Sequence, residues 1–410
     1  MTPGAYTVAP TLRPLDMRPC EHQGRDYFLL RDPAQLTDDT LLVPMPLALV
    51  LGYCDGRRTL DAVASAFEQD YGVAIGVSAI QALLARLDDA LMLENERAAE
   101  ARGKVVANFR QAPYRTPALA GRAYPAEADV LWRHLQDFLE AEEVVAPLAA
   151  DWARPVGLLS PHIDYARGGP VYAQVWKRAA QIAREADLAI LLGTDHYGAD
   201  PFTLTRQHYA TPYGMLPTAQ PVVDALAAVV GEEAAFAGEL RHRGEHSLEL
   251  VAVWLHHMRG GQPIELAPIL VGGLHRYLTN GAKPTDDRLL QRVIETLRTV
   301  SAGRRVLVIA SGDLAHVGPA FGGAPLDSAG IVALQATDQQ LLEHLQKGDA
   351  EGFFGAIQRV RDCNNVCGVA PIYLTLRTLG PVQGESLGYA VCPADTRGAS
   401  VVTVGGMLFR

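Results

Sequence analysis

Five cysteines in 410 residues are too few for a disulfide framework, and their odd number points to reduced thiols. Cys363 and Cys367 form a C-x3-C pair, which is not a zinc-ribbon spacing, while Cys20, Cys54 and Cys392 stand alone. Isolated thiols of this kind are most often core filler. Basic charge is also scarce, with 36 Lys and Arg against 46 Asp and Glu and a net charge of −10. That balance argues against nucleic acid or an anionic membrane as principal partner, since both select basic surfaces. No apolar stretch approaches the roughly 18 uninterrupted residues of a membrane span. Residues 1–14 lack a basic n-region and an apolar h-region, so the expectation is a cytoplasmic protein without a secretory signal. What remains is an ordinary globular composition, 49% hydrophobic and 20% charged, long enough for more than one domain.

The pattern divides the chain into a small unit over 11–97, a linker over 98–117 and a large domain over 118–410. In the small unit, Tyr27-Phe28-Leu29-Leu30 reads as a short strand, and 46–51 as an apolar helix ending at an Asp55-Gly56 turn. Thr59 is placed to cap a helix from Leu60 to Tyr71, with Leu60, Val63, Ala64 and Phe67 on one face and Gly72 ending it. Ser78 is expected to cap the next helix, which carries Ile80, Leu83, Leu84 and Leu87. Beyond 105, strand-like runs at 155–160, 187–193, 202–206, 264–271, 304–310, 385–391 and 399–404 alternate with helical patterns. These helices fall at 126–141, 170–185, 217–230, 246–258, 286–300, 328–346, 350–361 and 367–379. Alternation of this kind means an α/β layered domain, with the most apolar strands covered on both faces.

Three histidines share one address in that pattern. His162 follows the apolar run Gly157-Leu158-Leu159-Ser160-Pro161, His196 follows Ala189 to Gly193, and His316 follows Val306 to Ala310. In an open α/β sheet the carboxyl ends of strands line the ligand crevice, so three imidazoles delivered there point to a metal site. One such histidine alone is weak evidence, reading more readily as a turn histidine bonded to backbone. Gly168 and Gly169, after His162, permit unusual backbone angles or close approach. His246 stands at a helix N-terminus beside the capping candidates Glu245 and Ser247, where the dipole favours a neutral imidazole acting as ligand, donor or base. Glu249 shares its helical face, and His256 and His257 read as surface residues at the far end. Asp313 shares a loop with His316; it can accept the histidine N–H, ligate a metal itself or cap a turn. Cys367 falls in a loop or in the first helical turn, where a thiol pKa is lowered, and a thiolate beside imidazoles selects iron(II), copper or zinc over magnesium.

Several ordered blocks carry a resemblance. Ala120-Gly121-Arg122-Ala123-Tyr124-Pro125 is followed by SPHIDYARGGPVYA, LLGTDHYG, TPYG, EHSLE, PILVGG, SGDLAHVG and CGVAPI. Together they resemble the MEMO family, also called the B component of the AmmeMemoRadiSam system. The resemblance implies a mixed sheet with flanking helices, like that of class III extradiol dioxygenases, and a metal held by two histidines and a cysteine. By motif these are His162, His196 and Cys367, with Asp313, His316 and His246 as further site residues with catalytic roles. Cysteine in place of the carboxylate of a 2-His-1-carboxylate triad sets the site apart from a simple dioxygenase. The chain departs from the family where HIDY replaces H-A-G-Y, TDHY replaces P-S-H-H, and Val369-Ala370 replaces a basic pair. Asp164 and Asp195 are expected to add negative charge there and to shift the substrate range. Separately, the DGRRTLDAV…DYG stretch resembles small winged-helix domains related to PqqD, which bind a peptide or a partner protein; the alternative is a helical extension.

The leading functional expectation is a redox enzyme or oxygenase using Fe(II), with Cu or Zn as alternatives, acting on a small molecule or a peptide delivered by 11–97. Two other classes stay open: a non-catalytic peptide-binding adaptor using the same pocket, and a zinc-dependent hydrolase.

Overall fold

In the computed structural model of the chain, residues 6–143, 148, 151–272 and 274–410 are described. The chain divides into two compact units, Met1–Gln111 and Ala112–Arg410. The first is an α+β unit. It has three antiparallel strands, β1 (Asp16–His22), β2 (Arg25–Arg31) and β3 (Thr40–Pro44), where the sequence showed only the middle one. The helix Leu60–Tyr71 is capped by Thr59, whose side chain accepts the Ala62 N–H, and Gly72 ends it in the left-handed conformation. The following helix Val77–Asp89 starts from Gly76 without a side-chain cap, so Ser78 lies inside it and does not cap it. Leu30, Val43, Leu60, Val63, Phe67, Ile80, Leu83, Leu84 and Leu87 close a single core. The stretch 98–117, expected as a linker, is mostly the helix Glu96–Gln111, begun by Asn95, whose side chain accepts the Ala98 N–H at 2.9 Å.

The second unit is built on an eight-stranded mixed sheet. Its strands are β4 (Val156–Ser160), β5 (Leu188–Thr194), β6 (Phe202–Leu204), β9 (Glu265–Val271), β10 (Val306–Ser311), β11 (His316–Val317), β12 (Gly384–Pro393) and β13 (Val401–Phe409). The hairpin β7 (Tyr209–Thr211) and β8 (Gly214–Leu216) stands apart from it. The order is β11-β13-β4-β10-β5-β9-β6, with β12 on β13. β4, β10, β5 and β9 run parallel; β13 and β6 pair antiparallel at the two sides. The central strands are buried throughout, and alternate residues enter different cores. Leu159, Val308, Ala310, Ile190 and Leu192 pack on one face, and Leu158, Leu307, Ile309, Ala189 and Leu191 on the other. Burial on both faces explains why these strands are nearly all apolar. No helix among the described residues is long and apolar enough to cross a membrane.

Two helices differ from expectation in ways that matter to the site. The helix expected from 170 begins at Tyr165, because the Asp164 carboxylate accepts the Arg167 N–H at 3.1 Å and caps it. Gly168 and Gly169 lie inside it, and neither has positive φ. They are required by closeness: a Cβ on either would stand 2.3 Å from Ile163 or from the Phe138 ring. The helix His246–Met258 is buried on all sides, so His256 and His257 are core residues and not surface ones. Thr211 and the Gly261 carbonyl bond the His256 ring, and His257 packs between Trp132 and Trp254. Glu249 turns away from His246 to hold Arg115, the Tyr124 hydroxyl at 2.5 Å, and the backbone N–H groups of Ala118 and Leu119.

Candidate metal centre

β10 lies between β4 and β5 in the sheet, and Ser311 pairs with both Ser160 and Gly193. Three parallel strands therefore end at one level, and the chain just beyond them carries His162, Asp313 and His196. The helix His246–Met258 brings a third imidazole. Ring centroids are 5.1 Å apart for His162 and His196, 5.2 Å for His162 and His246, and 4.5 Å for His196 and His246. Ligand atoms of these three lie within 4.8 Å of one another, and so do those of His162, Asp313 and Cys367. Cys367 Sγ is 3.2 Å from His162 Nε2. The six residues singled out from the sequence thus fall in one place, with His162 in both groups and His316 at the margin.

The imidazole tautomers follow from their partners. The Ser311 hydroxyl gives its one proton to the Ser247 carbonyl at 2.5 Å, so it accepts from His162 Nδ1 at 3.3 Å. His162 Nε2 is left as the lone-pair nitrogen, facing the thiol and, at 3.7 Å, Asp313 Oδ2. Glu245, fully buried, caps its helix by accepting the Ser247 N–H at 3.0 Å and accepts the His196 backbone N–H at 3.1 Å. Its Oε1 also lies 2.9 Å from His196 Nδ1 and 3.1 Å from His246 Nδ1. All three rings have Nδ1 engaged. Glu245 and Ser311 were not among the expected site residues; the signal available was a Glu directly before His246 and a Ser two places before Asp313.

Asp313 does not pair with the His316 ring. Its Oδ1 accepts the backbone N–H groups of His162 at 2.8 Å and Ile163 at 3.3 Å, tying the end of β4 to the loop after β10. His316 Nδ1 instead meets the carbonyls of Leu314 and Asn365, each at 3.2 Å. The His316 backbone is held by β13, and its side chain lines the same cleft as His196 and Cys367. The loops carrying Asp313 and Cys367 meet through glycine. A Cβ on Gly312 would stand 2.6 Å from Gly368 Cα, and one on Gly368 would stand 2.6 Å from the Asp313 carbonyl, which accepts the Gly368 N–H at 2.9 Å.

The electrostatics divide the cluster. Burial, reinforced by the neighbouring His196 and His246, holds His162 well below the usual histidine range. Burial opposes the charge on His196 too, but Glu245 and Cys367 outweigh it and hold that imidazole well above the range. Glu245, despite burial, is kept well below the usual carboxylate range by His196 and His246. Burial pushes the Asp313 carboxyl up and His316 down. The Cys367 thiol, expected to be lowered by its place before the helix Val369–Leu379, is pushed up, because burial outweighs its contact with His196. The added acids are paired: Asp164 with Arg167, and Asp195 with Arg241 at 2.8 Å, a guanidinium that also holds Asp200.

A cleft of about 960 Å³ opens over the site. Its polar lining includes His196, His316, Cys367, Asp195, Arg276 and Asp362, and Val271, Leu274, Leu278, Val366, Val369 and Ala370 give an apolar wall. That volume lies in the range of small-molecule sites.

The family described as Memo-like protein matches residues 115–408. A MEMO1 family protein of Aquifex aeolicus is 25% identical over 98% of this chain and 100% of its own length, so the match reaches into the small unit. MEMO1 family proteins of Methanosarcina barkeri and Thermotoga neapolitana are 26% and 29% identical, covering 67% and 57% of this chain and 92% and 82% of their own. The match reaches every strand of the sheet described above and each loop that carries a cluster residue, and the chain belongs to the Memo-like protein family.

Proposed function

We propose that this is a metal-dependent redox protein in which His162, His196 and Cys367 hold iron(II), with copper or zinc as the competing ions. Its substrate would be a small molecule or peptide admitted by the cleft. The observation that supports this most is that every imidazole of the cluster has Nδ1 committed to an oxygen partner, which leaves Nε2 for a metal beside a thiol and a carboxylate. Mixed imidazole and sulfur donors suit iron(II), copper and zinc rather than magnesium or calcium. An ion bound there supplies redox chemistry toward O2 and substrate if iron or copper, and an activated water if zinc.

The protein side of the reaction follows from the surroundings. Glu245 would keep the Nδ1 proton of His196 while an ion held at Nε2 would require that nitrogen of the imidazolium to be unprotonated, so binding would release a proton and strengthen as pH rises. Asp313 positions the His162 backbone and keeps Oδ2 toward the cluster. His246 shares Glu245 with His196 and is placed to ligate or to pass a proton. His316, on the cleft wall and favoured neutral by burial, suits accepting a proton from a bound substrate. In this reading residues 11–97 recruit a peptide or protein partner.

Metal analysis of anaerobically purified protein, with O2 uptake, tests the reading. The expected result is one iron per chain, lost in His162→Ala and Cys367→Ser, with O2 consumed by the loaded protein. Unchanged tight iron binding in those variants overturns the site. Activity with zinc in the absence of O2, or peptide affinity that survives chelation, overturns the redox assignment in favour of a hydrolase or an adaptor.

A further inference from the structure

Behind the cluster runs a series of oxidisable aromatic rings that the site itself does not use. The Tyr172 hydroxyl donates to the Ile163 carbonyl at 3.0 Å, and the Ile163 N–H donates to Asp313. Tyr172 is therefore one residue's backbone away from the candidate metal centre. Its ring stacks on Trp254, with centroids 5.6 Å apart and planes at 9°. Trp254 meets His257 at 5.9 Å, and His257 meets Trp132 at 4.3 Å. Trp132 is 39% exposed. The rings thus run from the His162 loop to solvent in short steps, all between residues of the second unit.

The choice of side chain is informative. Trp254 is fully buried, yet its indole N–H has no hydrogen-bond partner. An unsatisfied buried donor costs stability that phenylalanine would not. Stacking alone does not require an indole, because a phenyl ring stacks as well. What indole and phenol add is ease of one-electron oxidation.

We propose that Tyr172, Trp254 and Trp132, with His257 bridging the last two, form an electron-hopping path that discharges oxidising equivalents from the site to the surface when no substrate consumes them. The proposal rests on the redox reading above. The oxidant is a peroxide reduced at the site, and the final reductant is a soluble thiol. For each electron the site takes up, Tyr172 is oxidised and its hydroxyl proton shifts toward the Ile163 carbonyl. Trp254 then re-reduces Tyr172, the proton returns, and Trp132 re-reduces Trp254. Trp132 releases its indole proton to water and recovers an electron and a proton from a thiol. Over two electrons, one hydrogen peroxide and two thiols give two waters and one disulfide.

The test uses the full chain loaded with iron and treated with small additions of hydrogen peroxide without substrate. Radicals are followed by freeze-quench electron paramagnetic resonance, and oxidised residues by peptide mass spectrometry. The expected result is iron-dependent oxidation at Trp132. In Trp254→Phe, which removes no hydrogen bond, Trp132 oxidation falls several-fold and damage moves to Tyr172. In the surface variant Trp132→Phe, the radical is retained at Trp254 and Tyr172. Equal Trp132 oxidation in wild type and Trp254→Phe, or in metal-free protein given the same peroxide, overturns the path while leaving the redox reading intact. Iron-loaded wild type that neither consumes peroxide nor forms any radical overturns the redox reading and the path with it.

Discussion

One oxygen of Glu245 lies 2.9 Å from Nδ1 of His196 and 3.1 Å from Nδ1 of His246, so a single buried carboxylate aims two imidazoles. Glu245→Gln keeps the shape and removes the charge. Loss of such an outer partner typically costs about 10–100-fold in metal affinity. Equilibrium dialysis against iron(II) or zinc checks this, and an unchanged affinity would show that Glu245 serves only as a helix cap.

Ser311 sets the tautomer of His162 by giving its proton to Ser247. Ser311→Ala strips a partner from two buried groups, which costs about 1–3 kcal/mol per unsatisfied group. Urea denaturation of the metal-free protein measures that loss. Metal affinity should fall as well, because His162 is then free to place its proton on Nε2.

Gly312→Ala and Gly368→Ala each drive a Cβ into backbone at 2.6 Å. Overpacking of this kind costs about 1–3 kcal/mol. The expected readout is lower thermal stability together with weakened metal binding, since the clash separates Asp313 from Cys367. Gly303→Ala, at a surface turn with nothing near its Cβ but with positive φ, is the control: it loses stability and keeps the metal.

Acid lability follows from three buried histidines. Burial pushes His242 down to about 3, and His256 and His257 to about 4. All are neutral in the fold, while the unfolded chain protonates them below the ordinary value near 6.5. The unfolded state then binds more protons, so stability is full above that value and is lost as pH falls toward the folded values. Thermal melts of metal-free protein from neutrality downward show the decline, and His257→Phe makes it shallower. A curve flat between pH 6.5 and 4 contradicts the assignment.

Much of this was readable from the chain because burial on both faces leaves a plain mark. The strands that became β4, β5, β9 and β10 were expected within about two residues of where they stand, as were most helices flanking them. The mark fades where local signals are short or contradictory. β11 is two residues long and exists only because β13 passes beside it, and the hairpin β7–β8 belongs to no larger sheet. The helix was expected to start only at Pro170, after Gly168 and Gly169, although Asp164 caps a helix that includes all three. At the site, residue types were legible and pairings were not. Asp313 and His316 are near neighbours in sequence, but the tie from Asp313 runs to His162 across the sheet, which only the strand order reveals. His256 and His257 misled because the helix carrying them is buried on every side, so its last turn is interior too.

The close approach of Gly312 to Gly368, with the Gly368 N–H bonded to the Asp313 carbonyl, packs two distant stretches of backbone directly against each other. If the proposed ion binds there, a cage assembled in advance would discriminate among ions by radius and preferred angles, not by folding around whichever arrives. Capture then orders little chain and buries little new surface, and calorimetry sees it as a heat with almost no temperature dependence.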